Sequence, residues 1–173
     1  MLITTNAGLW RYKIGDTVKF TSKDPYRIRI SGRTKHFINA FGEELIIENA
    51  EYAISKACRE TGASIENFTA GPIYLEQGKQ GSHEWVIEFK VQPTNEERFI
   101  EVLDASLKEV NSDYEAKRQG NIALFPPRVH FAEAGTFYHW MRKRGKLGGQ
   151  NKVPRLANNR EYLDDVLDLL AVK

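Results

Sequence analysis

The apolar pattern of this chain changes period at Gly32, and that change constrains the fold more than any other feature. Before it, TVKFT at residues 17–21 and YRIRIS at residues 26–31 alternate apolar with polar side chains, as half-buried strands do. Beyond it, Ile47, Ala50, Ala53, Ile54 and Ala57 recur at a spacing of about 3.6 residues, one face of a helix. A β-rich start followed by interleaved helices and strands predicts an α+β fold.

Short elements complete the pattern. Residues 2–5 predict a strand, and Trp10 to Ile14 lead into the Gly15-Asp16 turn pair, with a second turn at Ser22 to Pro25. After Gly32 the chain predicts a brief strand at 37–39, a turn at 42–45 and a helix over 47–60 that Gly62 closes. Strands follow at 68–76 and 84–91. Asn95, Glu96 and Glu97 then offer the cap and acidic first turn of a helix running to Ala116, with Phe99, Val102, Leu103, Leu107 and Val110 inward. A third strand at 129–132, a helix at 135–144, an irregular basic stretch at 146–155 and an amphipathic helix at 160–171 end the chain. In that last helix Tyr162, Val166, Leu169 and Leu170 are available for packing. The order β-α-β-β-α-β predicts a small antiparallel or mixed sheet flanked by helices over residues 32–173, preceded by a β segment over 1–31.

Composition removes several function classes. The 173 residues carry a formal net charge of +2, too little to argue for nucleic acid or an acidic membrane surface. No apolar stretch approaches the roughly 20 residues that span a bilayer. The start lacks the basic and apolar sections of a signal peptide, so a cytoplasmic location is expected. Cys58 is the only cysteine; it cannot close an intramolecular disulfide and reads as a packing thiol on the 47–60 helix. A strand beginning at the second residue suggests a chain cut from something longer.

Three clusters could hold chemistry, and each has a plainer explanation. In Trp10-Arg11-Tyr12-Lys13-Ile14-Gly15-Asp16 the aspartate could accept hydrogen bonds from a vicinal diol, though Gly-Asp is also an ordinary turn. Gly32-Arg33-Thr34-Lys35 joins a glycine, whose backbone can pivot, to a basic pair that a strand end would also tolerate. Residues 143–155 set lysines among glycines, which suits a side chain reaching for a phosphate or carboxylate from a loop, or simply a solvated basic face. That run lacks both interleaved aromatics for base stacking and the order of a phosphate-binding loop. The histidines at 36, 83, 130 and 139 show no metal-ligand spacing, and no GxSxG element is present.

Taken in order, these clusters resemble the adenylate-forming enzymes. The 10–16 segment is similar to their Y-R-x-G-D ribose motif, and Gly32, Arg33 and Lys35 followed by Ile38, Gly42, Glu43 and Glu48 resemble their hinge motif. Gln150 to Arg155 (QNKVPR) is similar to the N-Q-Y-K-T-P-R segment of the auxin-responsive acyl-acid amido synthetases, as are Leu9 to Tyr12 and Gly135 to Phe137. The resemblance implies the mobile C-terminal domain of a ligase that uses ATP and Mg2+ to activate a small carboxylic acid as an acyl-adenylate and then joins it to an amino acid. It implies that Asp16 holds the ribose hydroxyls, that Tyr12 and Arg33 lie near the nucleotide, and that Lys35 is the hinge. Lys152 would stabilise charge on the α-phosphate, with Lys146 its rival. The N-terminal adenylation domain, with the phosphate loop and acyl pocket, would be the partner, and neither nucleic acid nor membrane is expected. Thioester formation with coenzyme A is the alternative within enzymes, and a non-catalytic binding or regulatory module is the alternative outside them.

Overall fold

The computed structural model describes residues 2–33, 37–74, 81–121, 124–148 and 151–171. Two small hairpin-like pairs open the chain: β1 (Leu2–Ile3) with β2 (Tyr12–Lys13), and β3 (Asp16–Lys23) with β4 (Tyr26–Arg33), both antiparallel. A third short pair, β5 (Phe37–Ile38) with β6 (Leu45–Ile46), leads into α1 (Ile47–Thr61). The centre is a three-stranded sheet in the order β7 (Ser64–Ile73), β8 (Ser82–Val91), β9 (Arg128–Ala132). Between β8 and β9 come α2 (Glu96–Val110) and α3 (Ser112–Arg118); α4 (Thr136–Lys143) and α5 (Glu161–Ala171) follow.

The sheet lies between two helical layers because β8 alternates. Trp85, Ile87 and Phe89 point into the larger core beneath α1 and α2, whereas Val86 joins Ala132, Phe137, Trp140, Leu163 and Val166 in a smaller core beneath α4 and α5. The stripe Ala50, Ala53, Ile54 and Ala57 is buried as its spacing predicts, and its small residues bring α1 close to α2. Phe89, Phe99 and Phe131 form a ring cluster with centroids 5.4 to 5.8 Å apart. Cys58 sits half-buried against this core, and burial pushes its thiol up.

The sheet is mixed, one of the two arrangements expected: β7 and β8 are antiparallel, but β8 and β9 run parallel, since two helices carry the chain across between them. The structure differs from the sequence reading at several boundaries. The helix expected to continue to Ala116 breaks at Asn111, whose side chain accepts the Tyr114 N–H at 2.8 Å and so starts a new helix. β7 begins at Ser64, earlier than expected, through irregular pairing around Ile65. β4 does not end at Gly32 but runs through it to Arg33.

The β3–β4 hairpin departs most. Its alternation is real, yet Phe20, Tyr26, Ile28 and Ile30 are all exposed, whereas Asp16 at its start is buried. Gly62, by contrast, closes α1 in the left-handed conformation its position requires.

Candidate functional site

A cleft of about 1390 Å3 opens between the β3–β4 hairpin and the α4 side of the sheet. It is lined by Asp16 and Ile30 from the hairpin, by Tyr138 and Met141 from α4, and by Lys146 and Lys152 from the segment after α4. Residues from the two ends of the chain therefore meet in one space.

Asp16 enters the cleft as the first residue of β3. Gly15 before it has φ of 83°, a conformation glycine adopts freely, and so turns the chain sharply into the strand. Asp16 is 8% exposed and lies opposite Arg33 in the strand register. Arg33 thus ends β4 beside Asp16. Tyr12 sits on β2, paired with Ile3 and half exposed, and is not part of the cleft lining. Lys35 lies outside the described residues, so the hinge assignment has no structural counterpart here.

Lys146 and Lys152 are held from both ends of their segment. The last turn of α4 closes with the Gly145 N–H donating to the Arg142 carbonyl at 3.0 Å and the Lys146 N–H donating to the Met141 carbonyl at 2.9 Å, Gly145 being left-handed at φ of 63°. Further on, Thr69 Oγ1 donates to the Pro154 carbonyl at 2.7 Å, the Ala70 N–H donates to the Arg155 carbonyl at 2.8 Å, and the Ala157 N–H returns to the Ala70 carbonyl at 3.2 Å. This strap lies along the outer edge of β7 in strand fashion, with Leu156 bridged to Ala70 in parallel and fully buried. Arg155 stacks 5.3 Å over the Phe68 ring and pairs with Glu51 on α1. In the basic stretch read from sequence as irregular, the described residues run from the end of α4 through Lys146 to Gly148, and from Asn151 to the edge strap. Among the described residues, neither Lys146 nor Lys152 has an ion-pair partner, and both are exposed to the cleft.

Several buried pairings escaped the sequence reading, although Glu43 and the histidines themselves were named in it. Glu43 and His83 form a fully buried pair, Nε2 to Oε1 at 2.8 Å, and Glu43 also accepts the Ala40 and Phe41 N–H groups at 3.2 and 2.7 Å. Burial pushes the Glu43 carboxyl up, but His83 and the backbone donors outweigh it and hold it below the ordinary range. Asp104 accepts a two-pronged contact from Arg118 at 2.8 Å on each oxygen, together with the Tyr114 hydroxyl at 2.8 Å. Glu84 takes His130 at 2.8 Å and Arg160 at 2.7 Å; the His130 hydrogen bond first, then Arg160, bring its carboxyl down to about 2 against the effect of burial. Glu88 accepts two backbone N–H groups at the start of α4. A single sequence cannot reveal these partners, because each pair joins separate elements. The described residues contain no group of three or more histidine, cysteine or carboxylate side chains able to cage a metal.

Residues 48–161 match the family described as GH3 family C-terminal domain, and residues 1–33 match its GH3 family central domain. The chain belongs to the GH3 family. It is 26% identical to indole-3-acetic acid-amido synthetase GH3.10 of Arabidopsis thaliana over 177 residues, covering 97% of this chain and 29% of that protein. Two solved structures share the fold. One, GH3.15 acyl acid amido synthetase, has a TM-score of 0.73 at 21% identity, covering 96% of this chain and 32% of its own. The other, AtGH3.15 acyl acid amido synthetase in complex with 2,4-DB, has a TM-score of 0.74 at 20% identity with the same coverage. The chain thus spans less than a third of the length of the GH3 proteins it matches. Among its described residues no helix is long and apolar enough to cross a membrane.

Proposed function

We propose that this chain is the C-terminal part of an ATP-dependent acyl-acid amido synthetase, with residues 32–173 as its mobile domain and residues 1–31 as the edge of its larger domain. The observation that carries this reading is the cleft that joins Asp16 to Lys146 and Lys152, because adenylation needs a diol acceptor and a cation beside one nucleotide. The family membership and the GH3.10 relative support amide formation over thioester formation.

In this reading the carboxylate of a small acid attacks the α-phosphate of ATP, forming the acyl-adenylate and releasing pyrophosphate. An amino acid then attacks the acyl carbon through its amine, forming the amide bond, releasing AMP and losing a proton. Asp16 accepts hydrogen bonds from both ribose hydroxyls and so fixes the sugar; its carboxylate makes them charge-assisted. Arg33, at the end of the neighbouring strand, and Tyr12 belong to the nucleotide side. Lys152 brings its ammonium to the oxygens of the α-phosphate, where charge builds in the transition state, and the anchored ends of its loop reduce the reorganisation this requires. Lys146 is the second candidate for that contact. Lys35 is the hinge about which the domain turns between the two half-reactions.

Magnesium is expected to accompany the triphosphate of ATP. The phosphate loop and the acyl pocket belong to the N-terminal domain, so the isolated chain is expected to be inactive and the cytoplasm is its expected compartment.

The test is acid-dependent ATP–pyrophosphate exchange in the full-length enzyme. Lys152→Ala is expected to lower the rate by about 100-fold or more. Asp16→Ala removes two charge-assisted hydrogen bonds and is expected to raise the KM for ATP by about tenfold or more. Full exchange in both variants sinks the site assignment. Exchange by the isolated chain would overturn the reading of the domains.

A further inference from the structure

On β8, the face turned toward α4 and α5 carries Glu84, Val86 and Glu88, and all three side chains are buried. Each carboxylate grips one helix of that layer. Glu84 holds Arg160 at the entry to α5 at 2.7 Å. Glu88 holds α4 itself: Oε1 accepts the Gly135 N–H at 2.8 Å and Oε2 accepts the Phe137 N–H at 2.7 Å. Gly135 has no side chain with which to cap its own helix, so a carboxylate from the neighbouring strand satisfies those first-turn amides and meets the positive end of the helix dipole.

The helix that Glu88 fixes leads straight to Lys146. Its last turn ends on the Lys146 N–H bond to Met141, and only residues 147–153 separate Lys146 from the strap tied down at Pro154. Glu88, Lys146 and Lys152 all line the same cleft. The strap end of the loop is fixed by β7 through Thr69 and Ala70, and the helix end can be placed no better than α4 itself.

We propose that Glu88 is a positioning residue for adenylation: its carboxylate sets where α4 begins, and through α4 where Lys146 stands in the cleft. This rests on the reading of that cleft as the nucleotide site. Both oxygens of Glu88 are committed to α4, so it acts through the helix and not on substrate. The same contact leaves the start of α4 already occupied by an anion, so recognition of phosphate in the cleft falls to the lysines.

Glu88→Gln keeps the shape but sets an amide donor against one of the two N–H groups. In the full-length enzyme we expect kcat for pyrophosphate exchange to fall by about tenfold or more, since small misplacements of reacting groups are costly, with KM for ATP changed less than about twofold. In the 173-residue chain, hydrogen exchange at the amides from Phe137 to Lys146 should speed up while that of β8 does not. Glu84→Gln is the control: it loses a buried contact on the same face, to α5, and is expected to leave kcat unchanged. Should Glu88→Gln fail to fold, Glu88→Asp, which keeps the charge with a shorter reach, replaces it with the same expectation. Normal kcat in the Glu88 variant, or an equal loss in Glu84→Gln, overturns the proposal. Full exchange in both Lys152→Ala and Asp16→Ala sinks the nucleotide-site reading instead. The amide-exchange comparison still decides in that case whether Glu88 governs α4 and Lys146.

Discussion

Glu84 shows how much one buried carboxylate can contribute. Its side chain is 6% exposed and faces His130 at 2.8 Å, Arg160 at 2.7 Å and, further off, Arg128 at 3.7 Å. Its folded pKa of about 2 lies below the ordinary 4.5, so its stabilisation is fully present above pH 4.5 and is lost as pH falls toward 2. The shift corresponds to about 3 kcal/mol. Urea unfolding at a series of pH values should therefore show stability falling across that window, and Glu84→Gln should flatten the fall. A mutant curve as steep as the parent's would assign the acid sensitivity to other groups. Gly71 makes a steric demand of a different kind: a Cβ there would lie 3.1 Å from the Asn159 carbonyl oxygen, a backbone atom of the segment leading to α5. Gly71→Ala is expected to cost about 1–3 kcal/mol in a denaturant titration.

Among the elements, the junction of α2 and α3 is decided by a single side chain. Asn111 ends α2 with its N–H on the Leu107 carbonyl at 3.1 Å and begins α3 by accepting the Tyr114 N–H at 2.8 Å. Its Nδ2 also donates to the Glu43 carbonyl at 2.8 Å, tying the loop before α1 to the helix junction. The break turns Tyr114 and Arg118 back onto Asp104, where burial alone would push the carboxyl up and the Arg118, Lys108 and Tyr114 contacts together hold it down. Asn111→Ala removes the cap and the cross-link together, at an expected cost of about 1–2 kcal/mol. Amide exchange at Tyr114 should quicken more than at Leu103. Uniform quickening would show a global loss and not a local one.

For the whole molecule, the two helical layers share the β7–β8–β9 sheet, while the β3–β4 hairpin leaves Phe20, Tyr26, Ile28 and Ile30 exposed. Phe20 and Tyr26 lie 5.9 Å apart by ring centroid. Substituting Phe20→Ser with Ile28→Thr should change the unfolding free energy of this chain by less than about 0.5 kcal/mol, as surface changes do. A loss near the about 3–5 kcal/mol of a buried phenylalanine would show that the hairpin packs against the rest of the chain after all. In the longer protein proposed above the same substitutions are expected to be costly, because residues 1–33 match the GH3 family central domain.

Much of the element order was legible from residue pattern alone. The stripe Ala50, Ala53, Ile54 and Ala57, the glycine at 62, the cap at Asn95 and the strand at 129–132 are local signals, and local signals survive into the fold. The clusters around Asp16 and Lys152 could be named as candidates for the same reason: each is short and contiguous. What sequence could not decide is everything that joins distant residues. Whether β9 pairs parallel, whether the hairpin's apolar face is covered, and which acid faces which base depend on packing between elements whose separation along the chain carries no information about their separation in space. Glu88 illustrates this. As a letter it is one polar residue in an alternating strand; only the tertiary structure sets it under two amides of α4 and gives its charge something to hold.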